Sequence, residues 1–412
     1  MPAVTRVALE TLGCKLNQAE TERLLRDLIN DGFCIVSPDD EFDVYILNSC
    51  SVTSIADSKA RHLLRQAHRR SPQAALVLTG CFPEDIRIVF PGLKLVIPNS
   101  DKPLLVRRLR EMGYMGGGSW PAGLRTRTFV KIQAGCSNFC AYCIVPLMRG
   151  TEQNMLPEDV LGEIKARVKE GYKEVVLTGT EIGSYYYDGT RLEGLIERIL
   201  EKTEVARIRV SSLQPPEITQ ALLANWINPR VCEHFHLSLQ SGSDTVLERM
   251  KRRYDTRGYE TAVESIRRAV PDAAITTDII TGFPGETEYE YDESCHFCER
   301  IGFARLHVFS FSPRPGTTAA RMPGQVTEKI KKERTRQMLS LARKSAEKFR
   351  EMYQKKRTEV LWEQSKAGIL NGYTGNYIRV YTREKGLLLN EISRVQLTRP
   401  YKDGLWAETP EI

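Results

Sequence analysis

Cys136, Cys140 and Cys143 stand as C-x-x-x-C-x-x-C in the segment GCSNFCAYC. Three thiolates on one short loop can converge on one face of an iron–sulfur cluster, which thiolates hold. A 4Fe–4S cluster held this way keeps one iron without a protein ligand. Zinc is the competing occupant, but structural zinc takes four ligands, usually in C-x2-C pairs, and no partner pair stands nearby at that spacing. Plain burial is the third possibility. The open iron suits radical chemistry: S-adenosylmethionine chelates it, and one electron breaks the sulfonium bond to give a 5′-deoxyadenosyl radical.

Three further cysteines each close an apolar run: Cys14 in LGCKLNQAE, Cys50 in NSCSVT and Cys81 in TGCFP. A lone cysteine in such a setting is usually core. Three at equivalent points can meet above one sheet edge, where open α/β sheets place ligands. Cys34, Cys232, Cys295 and Cys298 fit no such pattern. The last two are one helical turn apart within a helical stretch, so burial is expected rather than redox work or zinc.

The elements around these residues alternate. Asp43–Asn48 and Ala75–Gly80 read as buried strands flanking the helical stretch Ser54–Arg70. The glycine-rich Gly113–Gly123 reads as a flexible linker. Beyond it, strands are expected at Thr128–Gln133, Glu174–Thr178, Arg207–Ser211, His234–Leu239, Ile275–Ile280 and Arg305–Phe311. Helices are expected between most of them, including Pro157–Glu170, Leu192–Lys202, Arg257–Ala269 and Thr287–Ile301. Such alternation argues a parallel sheet, open or curled into a partial barrel. A long helix follows Pro323. The tail then switches to short strands at Glu359–Trp362, Asn376–Tyr381, Leu387–Leu389 and Ser393–Thr398, as a small all-β module would.

With 412 residues, 41% hydrophobic and 27% charged, the chain has the composition of a globular protein of two or three domains, not of a disordered or fibrous one. No run approaches the roughly 18 apolar residues of a spanning helix, and Met1–Arg6 carries no basic region ahead of an apolar one. A cytoplasmic protein with no membrane partner is expected, and its ten cysteines then serve metal ligation, catalysis or burial rather than disulfides. The net charge of +7 is localised: Gln325–Arg357 holds twelve Lys or Arg against four Glu. That segment suggests a polyanionic partner, with a solvated helix face as the alternative.

The C-x-x-x-C-x-x-C loop resembles the radical S-adenosylmethionine superfamily. With the second cysteine triplet and the basic β tail, the chain resembles its methylthiotransferase family along essentially the whole length. GCKLNQAET, SVTSIADSKARHLLRQ, LTGTEIGSY, LQSGSD and DIITGFPGET are most similar to the branch acting on N6-threonylcarbamoyladenosine in tRNA. Other branches act on isopentenyladenosine in tRNA or on a ribosomal protein aspartate, and a non-catalytic iron–sulfur RNA-binding protein is a remote alternative.

The resemblance implies a mixed α/β fold in three parts: an N-terminal α/β methylthiotransferase domain over 1–118, a radical S-adenosylmethionine partial (β/α) barrel over 119–345, and a TRAM-like, RNA-binding β-barrel over 346–412. It implies two 4Fe–4S clusters, one at Cys136, Cys140 and Cys143 that cleaves S-adenosylmethionine, one at Cys14, Cys50 and Cys81 that carries the sulfur. S-adenosylmethionine serves as both methyl donor and radical source, with Gly179, Thr180, Glu181, Ser211 and Gln240 as its contacts. The expected partners are the tRNA anticodon stem-loop, an electron donor such as flavodoxin or ferredoxin, and a sulfur donor. Lys331, Lys332, Arg334 and Arg336 are expected to meet phosphates, and the tail from Arg357 to be removable without harm to the rest.

Overall fold

A computed structural model describes residues 4–82, 90, 92–118, 126–383, 386 and 388–408. The N-terminal part is a parallel sheet in the order Cys34–Val36, Arg6–Thr11, Val44–Ser49, Ala75–Gly80, Leu93–Ile97. Its two central strands, Val44–Ser49 and Ala75–Gly80, are buried along their whole length. Side chains alternate between faces, so Tyr45, Leu47, Leu76 and Leu78 fill one core while Val44, Ile46, Ala75 and Val77 fill the other. That two-sided burial is why both strands read as continuous apolar runs.

Gly116–Gly118 is not a free linker. Gly117 and Gly118 donate their N–H groups to the Gly32 carbonyl at 2.9 and 3.1 Å. A Cβ on Gly116 would lie 1.9 Å from the Asp31 carbonyl oxygen, so glycine is required here for close approach rather than for flexibility. Residues 119–123 of the expected linker lie outside the described residues.

The central part is seven parallel strand segments in two adjoining sheets. One has the order Arg207–Val210, Glu174–Thr178, Arg127–Lys131; the other begins at Ser212–Leu213 and continues through His234–Leu237, Ala274–Thr281 and Arg305–Ser310. The edge strands Arg127–Lys131 and Arg305–Ser310 are covered by the helices Lys15–Asn30 and Glu328–Glu351 respectively. The expected strands and helices of this region are present, with ends moved by a few residues at most.

The helix Glu328–Glu351 runs through the expected 345/346 boundary. Met338 and Ala342 join the central core, whereas Phe349, with Tyr353 just beyond the helix, joins the C-terminal core. The tail is a closed barrel ordered Arg357–Lys366, Ile369–Thr374, Arg379–Arg383, Gly404–Glu408, Ile392–Tyr401. The strand expected at Asn376–Tyr381 starts only at Arg379, after a turn that places Tyr377 at φ +67°. Leu388 and Leu389 lie in no strand, and Leu387 lies outside the described residues. Ile369–Thr374 escapes a sequence reading because Asn371-Gly372 looks like a turn; a Cβ on Gly372 would lie 2.1 Å from the Leu361 carbonyl oxygen, so the glycine serves strand-to-strand approach.

Two expected phosphate contacts are overturned. Lys331 and Arg334 are 3% and 5% exposed. Arg334 pairs with Glu286 at 2.9 Å and Glu288 at 3.0 Å, and Lys331 pairs with Glu328 at 2.6 Å. They face the central barrel because they fall on the apolar stripe of the helix with Met338 and Ala342. Lys332 and Arg336 are exposed.

Candidate active site

The three N-terminal cysteines stand at the same edge of the sheet. Cys14 caps the helix Lys15–Asn30, and Cys50 and Cys81 directly follow the strands Val44–Ser49 and Ala75–Gly80. Gly13 (φ +104°) lets the chain turn against Cys50, since a Cβ there would lie 2.8 Å from Cys50 Sγ. Gly80 (φ +95°) leaves no space either, its Cβ position falling 2.4 Å from the Ser49 carbonyl oxygen. Asn17 fastens the group, donating from Nδ2 to the carbonyls of Leu12 at 2.8 Å and Ser49 at 2.7 Å. Burial pushes the Cys50 thiol up to about 11, and the neighbouring Cys14 and Cys81 add to it.

The second set is held by the central barrel. Cys136 follows a short bridge at Gln133–Ala134, and its N–H donates to the Gly150 carbonyl at 3.2 Å. Arg252 donates to Cys140 Sγ at 3.2 Å and to Gln214 Oε1 at 2.9 Å. Burial, then a hydrogen bond to Glu181, pushes the Cys136 thiol up to about 12, and burial pushes Cys143 up to about 11.

Of the expected cofactor contacts, Glu181 bonds this loop directly, and Gly179, Thr180, Ser211 and Gln240 stand just beyond the ends of barrel strands. Gln133 Oε1 accepts the N–H groups of Thr180 and Glu181 at 2.9 and 3.1 Å, which fixes the strand-end turn after Glu174–Thr178. A Cβ on Gly179 would lie 2.8 Å from the Gln133 carbonyl oxygen. Thr180 Oγ1 and Ser211 Oγ are buried without a hydrogen-bond partner. Such orphaned hydroxyls cost free energy unless a bound group satisfies them. Gln240 holds a positive φ of 74° and bridges to the neighbouring strand through Asp278 and Ile280, a strained conformation of the kind that gathers at functional sites. Glu181 accepts from Asn138 Nδ2 and Gln214 Nε2 and from the Cys136 thiol at 3.1 Å. It therefore braces the cysteine loop as well as facing the strand ends.

Residues 130–298 match the radical SAM superfamily, and residues 6–89 match uncharacterized protein family UPF0004. A relative from Bacillus subtilis (strain 168), threonylcarbamoyladenosine tRNA methylthiotransferase MtaB, is 33% identical over 98% of this chain and 97% of its own. The chain belongs to the radical SAM methylthiotransferase family. The methylthiotransferase of the same name from Thermotoga maritima is 36% identical over 90% of each chain. A tRNA-2-methylthio-N(6)-dimethylallyladenosine synthase from Moorella thermoacetica is 33% identical over 94% of this chain and 95% of its own. Overall identity thus does not separate the two tRNA branches. In fold, this methylthiotransferase is similar to the radical S-adenosylmethionine methyltransferase TsrM from Kitasatospora setae, with TM-score 0.58, 12% identity and 77% of each chain covered.

Among the described residues, no three His, Cys, Asp or Glu side chains gather tightly enough to hold a single metal ion. Three thiolates on one zinc would stand roughly 3.8 Å apart, given Zn–S of about 2.3 Å. A cluster spreads its thiolates because each takes a different iron. The loop cysteines, with orphaned hydroxyls at neighbouring strand ends, suit a cluster that keeps one iron open to a cofactor.

The methylthiotransferase also carries site residues that sequence reading missed. Arg149, six residues after Cys143, donates to Asn17 Oδ1 at 2.5 Å and to Glu20 at 2.8 Å. Arg314 reaches Ser51 Oγ and Asp57, both at 2.7 Å. These pairs join the two cysteine-bearing parts across 129 and more positions of sequence, a separation that hides them from any local pattern. Of the other cysteines, Cys298 and Cys232 are buried, Cys34 and Cys295 partly so. In the loop after Ala274–Thr281, Glu286 accepts from the Gly282 N–H at 2.7 Å and from Arg334 at 2.9 Å.

Proposed function

We propose that this chain adds a methylthio group to C2 of N6-threonylcarbamoyladenosine next to the anticodon of tRNA. In this reading Cys136, Cys140 and Cys143 hold the cluster that binds S-adenosylmethionine, and Cys14, Cys50 and Cys81 hold the cluster that carries sulfur. Adenine C2–H is neither acidic nor activated toward nucleophiles, so acid–base side chains have no route to it. Bound at the first site, the cluster and S-adenosylmethionine would supply the carbon radical that this hydrogen requires. The residues' own work is positional: Gln133 sets the Thr180–Glu181 turn, Thr180 and Ser211 offer free hydroxyls, and Arg149 and Arg314 fix the second cysteine set against the first. The C-terminal barrel, read as a TRAM-like module, and the exposed cations of Glu328–Glu351 would meet the RNA backbone.

The observation that carries this reading is that two separate three-cysteine sets are borne by parts that Arg149 and Arg314 fasten together. Nucleoside mass spectrometry of tRNA from cells with and without the gene tests it. The 2-methylthio derivative of N6-threonylcarbamoyladenosine should disappear with the gene; loss of the isopentenyladenosine derivative instead would assign the other branch.

Backbone binding has its own test. Lys332, Arg336, Arg343 and Lys344 are exposed, and replacing them with glutamine should flatten the slope of log affinity against log salt by about 3, at ~0.7–0.9 per phosphate. Modified and unmodified tRNA should weaken alike, because phosphate contacts carry no base information. An unchanged slope removes this helix from the RNA surface.

A further inference from the structure

A cavity of about 350 Å³ lies where the first helix, the central barrel and the C-terminal barrel meet. Its lining is cationic and polar: Lys15, Arg305, Arg379 and three of the chain's six histidines, His234, His236 and His307. Most of the charge around it is already matched. Arg209 pairs with Glu174 at 2.7 Å, Arg127 with Glu363 at 2.5 Å, Arg379 with Asp403 at 3.1 Å, and His236 with Asp278 at 3.3 Å. Arg305, which is exposed, and Arg350, which is half-buried, also line it without an ion pair among the described residues, and two further groups are not matched. Among the described residues, the Lys15 ammonium has no carboxylate within ion-pair distance and lies 5.9 Å from the Tyr377 ring centroid. His234 is 3% exposed, and its Nδ1 is buried without a partner.

An unmatched cation and an unmatched imidazole nitrogen in one cavity call for an anionic, hydrogen-bonding occupant. We propose that this cavity receives the carboxylate-bearing substituent of the substrate base, with Lys15 as its anchor. The inference rests on the tRNA reading above and names what selects the base.

An isopentenyl group would leave the Lys15 ammonium without a counter-charge and His234 Nδ1 without a partner, although His234 Nε2 keeps its bond to Thr276 Oγ1 at 3.1 Å. A threonylcarbamoyl group offers a carboxylate, a hydroxyl and urea N–H groups. The placement agrees. Lys15 adjoins Cys14, and the chain that begins at His234 in the cavity leads up the barrel to Gln240 at the strand end. Four residues of chain separate His236 in the cavity from Gln240 beyond the strand end. A base treated this way must leave its stack, as other base-modifying chemistry requires.

The test uses anticodon stem-loop RNAs that differ only in that adenosine: N6-threonylcarbamoyl, its carboxylate methyl ester, and isopentenyl. The full-length reconstituted enzyme should bind the acid on the order of ten-fold or more tighter than the ester. Lys15→Gln should lose that preference, with iron content measured to show the neighbouring cysteine set intact, and Lys15→Arg should restore part of it. Equal affinity of the wild type for acid and ester overturns the proposal, whatever the variants do. A preference that survives Lys15→Gln removes Lys15 as the anchor. Should cellular tRNA lack the 2-methylthio-threonylcarbamoyl nucleoside, the functional reading falls separately, and the acid–ester comparison still reports on the cavity.

Discussion

Replacing Cys136, Cys140 and Cys143 together with alanine should halve the iron of the anaerobically reconstituted protein and abolish cleavage of S-adenosylmethionine. Replacing Cys14, Cys50 and Cys81 should also halve the iron but leave cleavage measurable. The two sets rest on different scaffolds. One is carried by the loop after Gln133–Ala134 and braced by Glu181 and Arg252; the other is carried by three strand ends of the N-terminal sheet. Each has its own fastening, Asn138 and Gln214 through Glu181 in one case and Asn17 in the other. The contacts proposed for S-adenosylmethionine, at Thr180 and Ser211, belong only to the central barrel. Iron analysis and 5′-deoxyadenosine production read the two quantities independently. Full loss of cleavage in the second variant, with half the iron retained, would refute the division of roles.

Much of this arrangement was legible because the signals are local. A three-thiol motif within eight residues, and strands whose two-sided burial makes them continuously apolar, both show in a short window. Arg149 and Arg314 were not, since a basic residue gives no sign of being buried until its distant partner is known. The same blindness misplaced Lys331 and Arg334. Their charge suggested RNA, yet their helical phase with Met338 places them toward the barrel, where Glu286 and the Phe311 carbonyl receive them. The tail misled in a related way. A change to short strands suggests a detachable module, but Arg209 donates to the Gly375 carbonyl at 2.8 Å and Arg127 to the Tyr377 hydroxyl at 2.7 Å. Deleting residues from Arg357 would open that buried charge network, so surface substitutions are the sounder probe of RNA binding.

Glu20 shows how strongly the joint between the two parts is built. It is 8% exposed, and its carboxylate takes Lys102 Nζ and both Nη atoms of Arg149, at 2.8 and 3.1 Å. Burial alone would raise its pKa, but Lys102 and Arg149 outweigh that and hold it down to about 2, from 4.5. A carboxylate depressed in the folded state adds stability that is fully present above its unfolded value and is lost as the pH falls through its folded one. That window runs from 4.5 to about 2, and the contribution is about 3 kcal/mol at ~1.36 kcal/mol per pH unit. Glu20→Gln should therefore destabilise the protein by about 3–5 kcal/mol at neutral pH, since it leaves two buried cations without their carboxylate. The gap between wild type and variant should shrink as the pH drops below about 4.5, which urea unfolding of the apoprotein at a series of pH values measures. The functional consequence differs from that of a general loss of folding. Glu20 stands on the helix that Cys14 caps, Lys102 lies in the turn Asn99–Leu104 whose Asn99 approaches Cys81 Sγ at 3.7 Å, and Arg149 follows the radical loop. At a temperature where the variant is still folded, methylthio transfer should fall by at least ten-fold while cleavage of S-adenosylmethionine falls much less, because the distance between the two cysteine sets is what Glu20 holds. Equal losses in both activities would reduce Glu20 to a stabilising ion pair with no part in aligning the sites.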